Sequence, residues 1–129
     1  RRESGSLGDA VCDSTSMERF PSITADGKRI AYVSNREGTT NIWVCELATQ
    51  RAENVTQYAD AGTWSPTWAR DGKSLAFTVS EKGETARLAV WRPGEAARKI
   101  TPTSFTVVNP SWDFDGEHIY FVAVSEGTR

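Results

Sequence analysis

The stretch PSITADGKRIAYV at residues 21–33 recurs as PTWARDGKSLAFT at 66–78 and as PSWDFDGEHIYFV at 110–122. The opening prolines stand at positions 21, 66 and 110, and the Asp-Gly pair and an aromatic residue recur at the same offsets. A period of about 45 residues with several matched features indicates a repeat architecture, in which each copy is one supersecondary unit. The fold is therefore predicted from this repeat.

Each repeat predicts four β-strands. The Asp-Gly pair lies between runs of alternating apolar residues, which is a strong hairpin signal. In the first copy we expect a second strand over 28–34, a third over 41–47 and a short fourth over 54–57. Four strands in about 45 residues are the unit of a propeller blade. We predict an all-β chain: a β-propeller fragment with two complete four-stranded antiparallel blades, a partial third and a leading strand.

The repeat also predicts the domain boundaries. The expected segments are a tail or the end of a preceding segment at 1–10, the propeller repeats at 11–124, with copies at about 20–57, 65–102 and 109–124, and a truncated end at 125–129. Two and a half blades cannot close a ring of roughly four to eight, so both ends would present open strand edges. We expect a piece of a larger propeller, with self-association through the open edges as the alternative.

The composition argues against two classes of partner. The 129 residues include 15 basic and 17 acidic side chains, a formal net charge of -2, and the basic residues are scattered. This balance argues against an electrostatic grip on nucleic acid. No apolar stretch approaches the roughly 18 residues that a membrane helix needs. We therefore predict no direct contact with nucleic acid and no membrane span in this segment.

The five tryptophans are numerous for a chain of this length. Trp68 and Trp112 occupy one repeat position, where the first copy has Ile23. Trp43 and Trp91 lie in corresponding third strands, give or take one residue. These four rings are predicted to be scaffold.

The repeat units resemble those of a known family. The first reads PSITADGKRIAYVSNREGTTNIWVCEL at 21–47 and closes in NVTQ, while the second reads PTWARDGKSLAFTVSEKGETARLAVW at 66–91 and closes in KITP. They resemble the TolB-type, WD40-like propeller repeat, whose pattern joins Pro-x-Trp, Asp-Gly-Lys, an apolar strand, a Gly loop and a closing Leu-Thr. The resemblance covers nearly the whole chain and is specific for the fold. It is a poor indicator of function, because the same repeat occurs in many unrelated proteins.

The resemblance implies a non-catalytic module for protein–protein interaction or ligand sensing, within a larger bacterial protein. It implies a protein or peptide partner at the propeller face or channel, in the periplasm or another extracytoplasmic compartment, with the cytoplasm left open. One alternative is the substrate-gating propeller of a prolyl-oligopeptidase or tricorn-like serine peptidase whose catalytic domain lies elsewhere. Another is the sensor half of a winged-helix transcriptional regulator, the version that residues 14–47 resemble most.

Catalytic chemistry is not predicted from the titratable residues. Asp26, Asp71 and Asp115 recur in every copy, which favours a turn-capping role because a turn is needed in each blade and a catalytic site only once. His118 is the only histidine, and there is no Gly-x-Ser-x-Gly elbow, so a solvated surface position is favoured over a general base. We predict no enzyme activity, no catalytic residue, no metal site and no cofactor.

The two cysteines, Cys12 and Cys45, lack the spacing of a zinc site. By repeat offset Cys12 belongs near the outermost strand of a preceding blade, and Cys45 lies in a third strand. The expectation is two buried small apolar residues. A disulfide between neighbouring blades is the alternative.

Partner contacts are predicted where the chain enters each innermost strand, over 18–20, 63–65 and 107–109. The candidate partner-binding residues are Arg19, Trp64 and Asn109. Trp64 is the one tryptophan without a repeat partner, so it is either an exposed contact residue or a ring packed between blades.

Overall fold

Three antiparallel sheets make up the chain. The computed structural model describes residues 12, 18–36, 38–113, 115 and 117–125, and every regular element within them is a β-strand. The strands are β1 (Glu18–Ile23), β2 (Arg29–Ser34), β3 (Asn41–Glu46), β4 (Arg51–Asn54), β5 (Ala61–Trp68), β6 (Leu75–Glu81), β7 (Arg87–Trp91), β8 (Arg98–Lys99), β9 (Phe105–Trp112) and β10 (Ile119–Ser125). The sheet orders are β1-β2-β3-β4, β5-β6-β7-β8 and β9-β10. We call these sheets blades 1, 2 and 3. The predicted all-β fold, with two complete four-stranded blades and a partial third, is confirmed. The predicted leading strand falls before Glu18, where Cys12 alone is among the described residues.

The Asp-Gly turns have the predicted turn chemistry. The carboxylates of Asp26, Asp71 and Asp115 accept hydrogen bonds from the backbone N–H two residues later, at 2.9, 2.9 and 2.8 Å. Gly27 and Gly72 follow with φ of 76° and 73°, the left-handed region that glycine enters without steric cost. The turn-capping role of the three aspartates is therefore confirmed.

A β-bulge precedes each repeat proline. Phe20, Ser65 and Asn109, the residues before these prolines, have φ of 55°, 56° and 54°, and the pairing register shifts at this point in all three blades. Proline has no N–H to donate to the ladder, so it is tolerated at a bulge. The bulge also increases the local twist of β1, β5 and β9, which are the inner strands of the three blades.

Blades 1 and 2 share one apolar core. The alternating side chains of β2 and β3 on one face of blade 1 meet those of β6 and β7 on the facing side of blade 2. The buried members are Ala31, Val33, Ile42, Val44, Val55, Trp68, Leu75, Phe77, Val79, Ala89 and Trp91. A second layer, on the far side of blade 2, packs against blade 3. The hydrophobic alternation within each strand therefore becomes packing between blades.

The repeated tryptophans of the inner strands join neighbouring blades. The indole N–H of Trp68 donates to the Ser22 carbonyl at 3.0 Å, and that of Trp112 donates to the Thr67 carbonyl at 2.8 Å. Donor and acceptor recur at the repeat offset, so the same hydrogen bond joins blade 1 to blade 2 and blade 2 to blade 3. Ile23, at the equivalent position of blade 1, has no such group to donate.

The third strands of the two complete blades align with a one-residue offset. The amides of Ile42 and Leu88 donate to the hydroxyls of Thr56 and Thr101, at 3.1 and 3.0 Å. Ile42 therefore corresponds to Leu88, and Trp91 corresponds to Cys45 rather than to Trp43. Trp43 and Trp91 lie in corresponding strands as predicted, and both are buried, but they stand two residues apart.

The cysteines form a disulfide, so the expectation of two unpaired apolar residues is wrong. Cys12 and Cys45 are both buried, with Cα atoms 6.2 Å apart, and are bonded to each other. The Cys12 amide also donates to the side-chain oxygen of Gln50 at 2.8 Å. At the equivalent place between blades 1 and 2, Trp91 and Gln57 line one pocket, and Gln57 shares the positive φ of Cys12. The disulfide thus joins the two positions that Gln57 and Trp91 hold in the next repeat.

Candidate binding cleft

A cleft opens between blades 1 and 2 where β1 and β5 begin. Its volume is about 300 Å³, and it lies beside the loop that joins β2 to β3. The lining residues are Arg19, Phe20, Val33, Asn35, Thr40, Gly62, Thr63 and Trp64. We call it the inner cleft.

Two of the three predicted contact residues lie in this cleft. Arg19 is opposite Val33 in the β1–β2 ladder, and Trp64 is opposite Thr78 in the β5–β6 ladder, so they hold equivalent positions in successive blades. Asn109 is an exposed bulge residue of β9 and is not among the lining residues. The structure therefore brings Arg19 and Trp64 together and leaves Asn109 apart.

Trp64 is 39% exposed, and its ring lies against its own strand. A Cβ at Gly62 would stand only 3.0 Å from Cη2 and 3.1 Å from Cζ2 of the indole. Gly62 thus permits the ring to lie flat along β5, because any larger residue would push it away. The Gly-x-Trp spacing, which puts both residues on one side of a strand, is the sequence signal for this pair.

Thr63 lies within the predicted contact range 63–65, but sequence reasoning did not single it out as a candidate. Its side chain is 2% exposed, and its hydroxyl has no hydrogen-bond partner although it is buried. Thr63 pairs with Val79, whose side chain faces blade 1, so Thr63 also faces blade 1 across the cleft. A threonine in a strand carries no special signal, because its hydroxyl is normally satisfied or solvated.

A larger groove of about 610 Å³ lies further out between the same blades. It is lined by charges of both signs, including Arg29, Glu46, Arg51 and Glu53. Such a mixed wall favours no single ligand charge. The inner cleft is the better candidate because its lining residues include one charged group, Arg19, and several apolar ones.

Asp113, Asp115 and His118 form a surface cluster whose ligand atoms lie within 4.8 Å of one another. The carboxylate of Asp115 is already used by the turn and by the ring of His118, and its pKa is lowered by hydrogen bonds from the Glu117 amide and from His118. Asp115 and His118 are exposed, and their contacts account for the cluster as part of a turn. The predicted surface position of His118 is confirmed.

The pKa of His118 is expected to lie above its ordinary value, because Asp115 hydrogen-bonds to its ring and supplies a nearby negative charge. A folded pKa above the unfolded one means that this pairing stabilises the chain below the unfolded pKa and ceases to do so as pH rises through the folded pKa. An NMR titration of this single histidine measures the shift directly. Asp115→Asn should bring the pKa back toward 6.5, the ordinary value, and keep the turn, since asparagine can accept the same backbone hydrogen bonds.

Asp71→Asn is the matched control, because it makes the same change in the turn of blade 2, where no histidine follows. It should leave the His118 titration unchanged. An equal pKa in the wild type and in Asp115→Asn would show that the pairing does not form in solution.

The repeated blades and the cleft between them define the chain as part of a β-propeller with a candidate binding surface beside its inner strands. The family model described as the TolB beta propeller domain matches residues 4–129. The chain belongs to this family, as the resemblance of its repeats predicted.

Individual relatives agree with this family. The chain is 35% identical over 114 residues to the uncharacterized peptidase YuxL of Bacillus subtilis, covering 83% of this chain and 17% of that protein. It is 33% identical over 94 residues to the Tol-Pal system protein TolB of Anaeromyxobacter dehalogenans, covering 71% of this chain and 21% of that protein. The crystal structure of TolB from Acinetobacter baumannii superposes with a TM-score of 0.70 at 23% identity, over 84% of this chain and 27% of that one. The chain thus spans about a fifth of the length of these curated relatives.

The described residues contain no helix long and apolar enough to cross a membrane.

Proposed function

We propose that the chain is a non-catalytic propeller module of a larger bacterial protein, and that it binds a protein or peptide partner at the inner cleft. The observation that carries this proposal is the meeting of Arg19 and Trp64 in one cleft. Tryptophan and arginine are both enriched at binding hot spots. The indole lies over Gly62 along its own strand, and tryptophan has few rotatable bonds to order on binding.

The non-catalytic assignment is supported by the chemistry of the described residues. The chain's one histidine is an exposed turn residue paired with Asp115, and it lies in blade 3, away from the lining of the inner cleft. General-base catalysis needs such a group within hydrogen-bond reach of a nucleophile or substrate. The cleft has the character of a recognition site.

A displayed library of random octapeptides tests the proposal. The immobilised chain should enrich a set of peptides, and Trp64→Ala should weaken their binding about tenfold or more, as expected for a hot-spot residue. Trp64→Ala should change stability little, because the ring is partly exposed and belongs to none of the three apolar clusters among the described residues. Surface plasmon resonance and thermal melting measure the two effects separately.

Ile100→Ala is the matched control, since Ile100 is also an exposed apolar residue but follows β8 on the outer side of blade 2. It should bind the selected peptides like the wild type. No enrichment by the wild-type chain, or equal loss of binding in Ile100→Ala and Trp64→Ala, would contradict a binding site at the inner cleft.

The gating propeller of a serine peptidase is the second candidate, favoured by the 35% identity to YuxL, whose name calls it a peptidase. The sequence that flanks this chain in its gene separates the candidates. A hydrolase domain with a Gly-x-Ser-x-Gly elbow would select the peptidase setting. In either setting the purified chain should hydrolyse no peptide or ester.

The disulfide favours an oxidising, extracytoplasmic compartment, because structural disulfides are rare in reducing ones. The exposed apolar side chains of Tyr120, Val122 and Val124 favour coverage of β10 by another blade or by a second copy of the chain. A solution mass that rises with concentration would identify the second copy.

A further inference from the structure

We propose that the inner cleft recognises a carboxylate of the bound peptide, with the buried hydroxyl of Thr63 as hydrogen-bond donor and Arg19 as the cation. This inference rests on the proposed function and adds the chemical class of the ligand. The carboxylate belongs either to the free C-terminus of the peptide or to an Asp or Glu side chain. Both sources present the same two oxygens to the cleft.

The first argument is the unpartnered hydroxyl of Thr63. A buried polar group without a partner costs about 1–3 kcal/mol, and native proteins leave few of them. The equivalent position of blade 3 carries Val107, which is 1% exposed and of nearly the same shape. Since the fold accepts valine at this position, the hydroxyl is not needed for packing.

The second argument is the contrast with Thr40, the other threonine of the cleft. The Thr40 hydroxyl donates to the Ala61 carbonyl and accepts from the Thr63 amide, both at 3.0 Å. The Thr40 hydroxyl therefore uses both of these hydrogen bonds to fix the β2–β3 loop against β5. Thr63 has its amide engaged in that contact and only its hydroxyl left for a ligand.

The third argument is the charge and shape of the cleft. Arg19 is the single charged group among the eight described residues that line the cleft, and Arg19 and Thr63 project into the cleft from opposite blades. Guanidinium and hydroxyl are both donors to a carboxylate, which only accepts. The hydroxyl is nearly shielded from solvent, so it meets a single ligand oxygen at the bottom of the cleft.

The fourth argument concerns the residue next to the carboxylate. Phe20 and Trp64 are exposed by 43% and 39%, and both are among the residues that line the cleft. Aromatic walls of this kind favour an apolar or aromatic neighbour. The expected ligand is therefore a short peptide whose carboxylate follows or adjoins an apolar side chain.

Synthetic versions of the octapeptides enriched by the chain test the inference. Each is made with a free C-terminal carboxylate, as the C-terminal amide, and as the amide with every Asp and Glu replaced by Asn and Gln. The fully neutral version should bind about tenfold or more weakly, as expected for loss of charge-assisted hydrogen bonds. Comparison of the first two versions shows whether the terminal or the side-chain carboxylate is recognised.

Thr63→Val supplies the readout from the chain. It should weaken binding of the carboxylate peptides about tenfold while leaving the melting temperature unchanged or higher, because it removes an unsatisfied hydroxyl without changing volume. Thr63→Ser should keep most of the binding. Arg19→Gln should weaken binding and flatten its dependence on salt concentration.

Equal binding of the carboxylate and neutral peptides, or wild-type binding by Thr63→Val, would overturn the inference and leave the proposed function standing. A chain that enriches no peptide would remove both. A lower melting temperature in Thr63→Val would show that the hydroxyl has a structural partner, and would also overturn the inference.

Discussion

Replacing Trp68 with alanine is expected to lower the free energy of unfolding by about 3–5 kcal/mol, the range for deleting a large buried ring. Trp68 is 7% exposed and lies in the core shared by blades 1 and 2. Its ring stands edge-on to Trp91, with centroids 6.4 Å apart, and the guanidinium of Arg29 lies 5.2 Å from its centroid. The change also leaves the Ser22 carbonyl without the indole donor.

The loss of stability in Trp68→Ala has two causes, a cavity in the core and a lost contact between blades 1 and 2. Removal of the ring leaves a cavity in a core that relaxes only in part. It also removes the contact through which blade 2 holds the inner strand of blade 1. The Arg29 side chain, which donates to the Gly72 carbonyl at 3.0 Å, would lose the ring beneath it but keep that hydrogen bond.

Urea unfolding followed by circular dichroism measures the effect. Trp64→Ala is the control, because it deletes the same atoms from a half-exposed site in the same strand. A loss of stability as large for Trp64 as for Trp68 would show that Trp64 is also a scaffold ring. A loss below about 1 kcal/mol for Trp68, within the range of surface substitutions and weak contacts, would contradict the blade interface described here.

Loss of the disulfide is expected to cost about 2–4 kcal/mol. Cys12 and Cys45 are 33 residues apart in sequence, so the bond restricts a long loop in the unfolded chain. In the loop-entropy description, longer loops give larger stabilisation. Cys12→Ser should therefore lower the urea midpoint measured without reductant.

Cys45→Ser and the double variant provide the test of mechanism. All three variants lack the same bond, so their losses should be similar rather than additive. With reductant present, the wild type should fall to the level of the variants. Two free thiols per chain in the unfolded wild type, titrated without reductant, would contradict the bond.

The repeat was sufficient to predict the number and order of the strands, because each blade is built from local signals, but the fourth strand of blade 1 lies at Arg51–Asn54 rather than over 54–57. Each Asp-Gly turn depends on two adjacent residues, an aspartate side chain that accepts a backbone hydrogen bond and a glycine with positive φ. The prolines mark the bulges of the inner strands. The offset between Trp43 and Trp91 was not resolved, because an added residue in a loop becomes visible only when the hydrogen bonds of Thr56 and Thr101 are compared.

The candidate cleft was predicted only in part. Arg19 and Trp64 were predicted from the stretches 18–20 and 63–65, which lie within the inner strands β1 and β5. Asn109 was chosen by the same rule, but it lies at the bulge rather than in the cleft. Thr63 could not be found, because an unpaired hydroxyl is defined by the atoms that surround it.

By itself the sequence determined the period, the four-stranded unit, the turns and the membership of a propeller family, since these depend on residues close together along the chain. Only the tertiary structure decided which faces meet between blades, that Cys12 pairs with Cys45, and that Thr63 faces Arg19 across a cleft. Those features depend on the packing of strands about 45 residues apart. Such packing is set by the register and twist of whole sheets, which no short stretch of sequence specifies.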